Sequence, residues 1–98
     1  MAASSSVEAG FARQRADKWI WFARIVKSRA DAAALVAKGH VRVNGVRIHA
    51  PAHMLKGDDV LTIALDRRVR VVKIVDFAQR REGPMSAAAL YTDLSVPD

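Results

Sequence analysis

The stretch Val41-Arg42-Val43-Asn44-Gly45-Val46-Arg47-Ile48 constrains the fold more than any other part of this chain. Asn-Gly suits the two left-handed positions of a tight type I′ turn, and the flanking apolar–polar alternation has the period of a strand with one buried face. The segment therefore predicts a β-hairpin closed by two residues. With Val41, Val43, Val46 and Ile48 on the core face, Arg42 and Arg47 point outward.

Helices are predicted ahead of this hairpin. Over residues 15–26, Trp19, Phe22, Ala23 and Val26 recur at the i, i+3, i+4, i+7 spacing of a buried stripe. Ala16 and Ile20 widen that stripe, whereas Lys18, Trp21 and Arg24 fall away from it. Asp17 in the first turn and Lys27 after the last one suit the helix dipole. Ser28 then reads as the N-cap of a second helix over 30–38, with Asp31 as a weaker capping-box acid. Ala32, Leu35 and Val36 give that helix a short apolar face, and Gly39 suits the left-handed residue that closes it. Only Lys27 and Ser28 separate the two helices, so they must fold back sharply and bring their bases together.

Beyond the hairpin the pattern is mostly extended. Pro51 ends the second arm, and Lys56-Gly57-Asp58-Asp59 is a turn before a strand over 60–65. Asp66-Arg67-Arg68 turns into a second strand over 69–77, too evenly apolar to reveal its inward face. Residues 79–84 form a polar loop with a Gly-Pro stop, and 86–91 a last short helix. The order predicts an α+β fold: two N-terminal helices in a helix-turn-helix, packed on a small, mostly antiparallel sheet, with a short C-terminal helix. Ninety-eight residues suit one domain. We expect a disordered segment over 1–13, the domain over 14–92 and a tail over 93–98.

Charge narrows the function. The net charge is +6, and its distribution is uneven. From Arg13 to Arg47 there are nine bases against two acids, a local +7, while the rest of the chain carries −1. Like charge at this density repels itself unless an anionic partner meets it, which points to nucleic acid or an acidic membrane surface. The mixed polarity of the first helix argues against the membrane. No apolar run approaches the roughly 20 residues that cross a bilayer. The opening residues lack the apolar stretch of a secretory signal, so cytoplasm is the expected compartment.

Catalytic chemistry finds little support. There are no cysteines, which removes disulfides, thiolate metal sites and a thiol nucleophile. His49 and His53 flank Pro51, so they do not form a helical metal pair. His40, after the capping glycine, reads as a strand-edge or RNA-facing residue rather than a general base. Asp58 and Asp59 are neighbours that suit a turn, and the glycines form no phosphate-cradling motif. Neither an enzyme nor a bound metal or other cofactor is expected. Trp19 reads as core. Trp21 reads equally as a packing residue or as a platform on which a base stacks.

Several of these residues also form a known pattern. Arg15-Ala16-Asp17-Lys18-Trp19, Ser28-Arg29, Ala32, Val36, Gly39, Val41, Val43-Asn44-Gly45, Pro51 and Gly57-Asp58 resemble the RNA-binding domain named after ribosomal small-subunit protein four, the alpha-L motif, over residues 15–62. Asp17-Lys18-Trp19-Ile20-Trp21, Lys27 and Arg80-Arg81-Glu82-Gly83-Pro84, with the alanine-rich run to Leu90-Tyr91, are similar to the bacterial fifteen-kilodalton heat-shock protein family. That resemblance implies ribosomal RNA and the large ribosomal subunit as partners, engaged when translation stalls with peptidyl transfer RNA, and some binding of non-specific DNA. It also implies a link to heat stress. Ala16 stands where the pattern usually has leucine, which should trim the core. The basic extension carried by family members beyond the position of Asp98 is not among these residues.

The expected RNA-binding residues are Arg15, Lys18, Arg24, Lys27, Ser28, Arg29, Lys38, Arg42, Asn44 and Arg47. The bases would meet phosphates, Ser28 and the second helix's N-terminus would add an anion site, and Asn44 with Arg47 would reach sugar or base edges. Arg67, Arg68 and Arg70 are balanced by nearby acids. A monomer in isolation is expected. Two alternatives remain at this point: a detached RNA-binding module acting with an RNA-modifying enzyme, and a DNA-binding helix-turn-helix protein.

Overall fold

A computed structural model describes residues 12–95. The elements run β1 (Arg13–Arg15), α1 (Ala16–Phe22), α2 (Arg29–Ala37), β2 (Val41–Val43), β3 (Val46–Ile48), β4 (Met54–Lys56), β5 (Val60–Ala64), β6 (Val69–Ile74), α3 (Pro84–Ala88) and β7 (Tyr91–Asp93). Five strands form one antiparallel sheet in the order β3-β2-β5-β6-β7, and β1 pairs with β4 in a separate antiparallel ribbon. The architecture is α+β, as the order of sequence signals predicts. Among the described residues no helix is long and apolar enough to cross a membrane.

The sheet has two unlike faces. Val41, Leu61, Ile63, Val72 and Ile74 are fully buried and join Trp19, Ile20, Ala32 and Val36 of the helices in one core. The opposite face carries Arg42, Arg47 and Thr62 in neighbouring register, and the two arginines are exposed. Trp19 anchors the core, donating its indole N–H to the Asp76 carbonyl at 3.0 Å and meeting Tyr91 edge to face.

The hairpin turn forms as expected, with Asn44 and Gly45 at φ 52° and 85°. Val46, however, is 68% exposed. It shares the core side with its register partner Val43, but it sits at the tip of an edge strand, beyond the reach of the helices. The turn is pinned from below by Asp59. That buried carboxylate accepts hydrogen bonds from the Asn44 amide at 3.0 Å, the Lys56 backbone N–H at 2.9 Å and the Lys56 ammonium at 2.6 Å.

Both N-terminal helices end in the same motif. In α2 the backbone N–H of Gly39 reaches Val36 and that of His40 reaches Leu35, with Gly39 at φ 79°. These are the two crossed bonds of a Schellman ending, closed by the expected glycine. In α1 the N–H of Arg24 reaches Trp21 and that of Ile25 reaches Ile20, with Arg24 at φ 59°. An arginine in the left-handed position leaves no glycine signal, so α1 stops at Phe22 and not at Val26. The connection to α2 is correspondingly longer than Lys27 and Ser28 alone.

Other elements also depart from the sequence expectation. Arg13, assigned to the disordered segment, begins β1 and pairs with Lys56. The extended run from Val69 ends at Ile74 and does not reach Phe77. The last helix occupies Pro84–Ala88, after which Tyr91–Asp93 extends the sheet along β6, including Asp93 from the expected tail. Residues 1–11 and 96–98 lie outside the described residues.

The Arg24 ending yields a direct test. Valine tolerates left-handed backbone poorly, so Arg24→Val is expected to lower unfolding free energy by about 1–2 kcal/mol. Arg24→Gly should match or exceed the parent. Urea denaturation of the three proteins measures this, and equal midpoints for valine and glycine would contradict the assigned ending.

Candidate nucleic-acid interface

The interface is built outward from Asp17. Arg15, the N-cap of α1, supplies no side-chain cap, and the loop after β3 supplies the acceptors in its place. The Ala16 and Asp17 backbone N–H groups donate to the carbonyls of His53 at 2.8 Å and Pro51 at 3.1 Å. Asp17 is buried, and its carboxylate accepts both Nε and Nη2 of Arg15, at 3.0 and 2.9 Å. Nε of Arg29 lies 3.7 Å from the same carboxylate. Burial pushes the Asp17 carboxyl up, but the Arg15 hydrogen bonds, the charges of Arg15 and Arg29 and the Lys18 backbone N–H outweigh it and hold the group below the usual carboxylate range. Arg15 and Arg29 keep 44% and 43% of their side-chain surface exposed, so each still presents donors to solvent.

Ser28 caps α2 as the sequence predicts, its Oγ accepting the Asp31 backbone N–H at 3.0 Å. That bond, with the Asp31 carboxylate in the first turn, makes the helix start a capped end and not an open anion site. The second face of α2 is different. Asp31, Leu35 and the C-cap Lys38 follow one helical stripe, roughly opposite Arg29 at about 100° per residue, and Lys27 joins them from the connection before α2. They border a groove of 680 Å³, with His40, Ala64 and Asp66 on its other side. Lys27 and Lys38 are therefore gathered, but with two acids beside them.

The next hollow has no acid. Gly39, His40, Arg42, Arg47, Thr62, Ala64 and Val69 line a depression of 290 Å³ over β2, β3 and β5. His40 and Ala64 border both hollows, so the two form one continuous surface. A Cβ on Gly39 would stand 3.1 Å from Arg47 Cδ and from His49 Nε2, which shows how closely these side chains lie over the end of α2. From His49 the chain passes through Pro51 and His53 to the start of α1. The bases thus form a belt running from Arg15 and Arg29, past the hairpin, to Lys38 and Lys27.

Three expected site residues stand apart from that belt. Arg24 lies at the far end of α1, where its Nη1 donates to the Glu82 carbonyl at 3.2 Å. Lys18 places its ammonium over the Phe22 ring, 5.7 Å from the centroid. Asn44 is committed internally: its Nδ2 donates to Asp59 and its Oδ1 accepts the Val60 backbone N–H at 2.9 Å. Sequence reasoning also missed Thr62 and His49, because nothing local reveals that β5 lies beside β2 or that His49 leans on Gly39. Trp21 is half-buried, stacked on Phe22 at 5.3 Å and covered by the Arg81 guanidinium at 5.6 Å. Arg81 also donates to the carbonyls of Trp21 and Val26, both at 3.2 Å, so it fastens the 79–84 loop to the end of α1.

Comparison with known proteins agrees with this fold. The S4 domain family covers residues 14–61, spanning β1 through the hairpin to the first residues of β5. The chain carries an S4 domain. It is homologous to heat shock protein 15 of Escherichia coli, with 33% identity over 79 residues that make up 81% of this chain and 59% of that protein. Small ribosomal subunit protein uS4 of Methylobacterium radiotolerans is 29% identical over 76% of this chain and 37% of its own length. The trimeric structure of Vibrio cholerae heat shock protein 15 superposes with a TM-score of 0.79 at 28% identity, covering 86% of this chain and 84% of that one. The S4-domain chain thus spans about three-fifths of the length of the curated heat shock protein 15 it matches, 59% in the Escherichia coli case.

The Asp17 arrangement has a signed pH consequence. A carboxyl held below its unfolded value of about 3.9 contributes stability that is complete above that range and lost as pH falls through the lower folded value. Asp59 behaves alike: burial raises it, and the Lys56 and Asn44 hydrogen bonds more than reverse the effect. Asp17→Asn is expected to be less stable at neutral pH and to lose less stability between about pH 5 and pH 2. Parallel urea titrations across that window check this, and an unchanged acid slope would contradict it.

Proposed function

We propose that this chain binds structured RNA through the basic belt, and that its cellular partner is the ribosomal RNA of the large subunit. In this reading it acts in the cytoplasm under heat stress, on subunits stalled with peptidyl transfer RNA. The observation that carries the proposal is the chemistry of the belt. Lys27, Lys38, Arg42 and Arg47 form no ion pair with a described residue, while Arg15 and Arg29 share one buried acid and remain half exposed. The S4 domain and the likeness to heat shock protein 15 and to a ribosomal protein support RNA over other anions.

The mode follows from the residues available. Guanidinium and ammonium groups meet phosphates without reading sequence. Trp21, the aromatic of α1 that sequence left open as a stacking platform, already stacks on Phe22 and carries the Arg81 guanidinium over its ring. Recognition by backbone shape suits this surface, because side chains do not enter the deep major groove of A-form RNA.

Six phosphate contacts, from Arg15, Lys27, Arg29, Lys38, Arg42 and Arg47, give an expected slope of about −4 to −5 for log binding constant against log salt. Filter binding with large-subunit ribosomal RNA measures it, and a flat response contradicts the proposal. Pull-down with separated subunits should retain the large one, more strongly with a stalled nascent chain. Efficient displacement of the RNA by duplex DNA would favour a DNA-binding role.

A further inference from the structure

The outer face of the sheet holds an arrangement that the fold itself does not need. Arg42 and Arg47 are register partners across the β2–β3 hairpin. They lie one pair beyond the turn, and by the alternation of antiparallel ladders this is the position where facing side chains come nearest, with Cα atoms about 4.5 Å apart. Like charges directly opposite one another destabilise a sheet. No described carboxylate pairs with either of them, although Asp93 lies on a strand of the same sheet and Asp58, Asp59 and Asp66 lie in the turns that flank β5.

The row continues on the other side of Arg42. Thr62 of β5 is its register partner, so Arg47, Arg42 and Thr62 stand side by side across three strands, a span of about 10 Å. His40 closes one end of the hollow above them. Gly39 keeps that end open, since a Cβ there would press on the Arg47 stem at 3.1 Å. Two guanidinium forks and a hydroxyl on an open face, with no acid among the residues lining the hollow, are chemistry for an oxyanion with several acceptor atoms.

We propose that Arg47, Arg42 and Thr62 form a phosphate-binding row on the open face of the sheet, a second anchor for the RNA backbone separate from the Asp17-held pair Arg15 and Arg29. This rests on the RNA-binding reading and sharpens it. The bound strand contacts the domain at two places on either side of the loop from His49 to His53, and the row takes a phosphodiester group.

The test uses the full chain, with a ribosomal RNA fragment and inorganic phosphate as separate probes. Arg42→Gln and Arg47→Gln are each expected to weaken RNA binding by about three- to tenfold at low salt and to make the salt slope less negative by about one. The melting temperature without ligand should hold or rise, because a like-charge contact is relieved. Thr62→Val should weaken binding less and leave the slope unchanged. Millimolar phosphate should shift the amide resonances of residues 42, 47 and 62 in the parent and not in the double variant. A falling melting temperature in both arginine variants would make the row structural and overturn the proposal. Unchanged RNA affinity in the double variant, with Arg29→Ala still weakening it, would overturn the row while sparing the RNA reading. A phosphate response at the row with no RNA binding would support the row and remove the RNA reading.

Discussion

A buried carboxylate must be compensated where it stands, and the paired helices are arranged around that requirement at Asp17. Removing a charge from water is costly unless partners restore its hydrogen bonds. Arg15 and Arg29 do so from the entrance of α1 and the first turn of α2. The same contact joins the two helices at their N-termini and holds two guanidinium groups at the surface. Asp59 repeats the device under the hairpin, joining Asn44 to the turn after β4. Asp17 and Asp59 face inward as braces while their basic partners stay in contact with solvent, so the Arg15–Arg29 end of the positive belt is a consequence of how the core is fastened.

Elements with a local chemical signature were legible in the sequence. Asn44-Gly45 closed the hairpin, Ser28 capped α2 and Gly39 ended it, each through backbone preferences that act within a few residues. Strand parity also placed Arg42 and Arg47 outward correctly. The departures share a different cause. α1 ends at a left-handed Arg24 that carries no glycine signal. β1, β4 and β7 are each three residues long and exist because a distant partner satisfies their backbone groups. Parity put Val46 on the correct side, but the sheet's edge put it beyond the core.

The candidate site divides along the same line. That the bases cluster was readable from charge counting, whereas their local partners were not. Asn44 is taken up by Asp59, fifteen positions away in sequence, and Asp66 reaches the Lys27–Lys38 groove from a turn on the far side of β5. Arg81 entered the sequence reading only as part of the family pattern, yet it covers Trp21 and binds the carbonyls at the end of α1. Charge is additive along a sequence, but its compensation is a property of the fold.

The central claim is that nucleic acid meets the belt and nowhere else on the domain. Amide-resonance mapping of the full chain with a large-subunit ribosomal RNA hairpin at low salt tests it most directly. The account predicts perturbations over residues 15–17, 27–29, 38–42 and 47–53 and at residue 62, with α3 and β7 unmoved. Shifts concentrated on α3, β7 and the Arg67–Arg68 turn, with the belt silent, would contradict it.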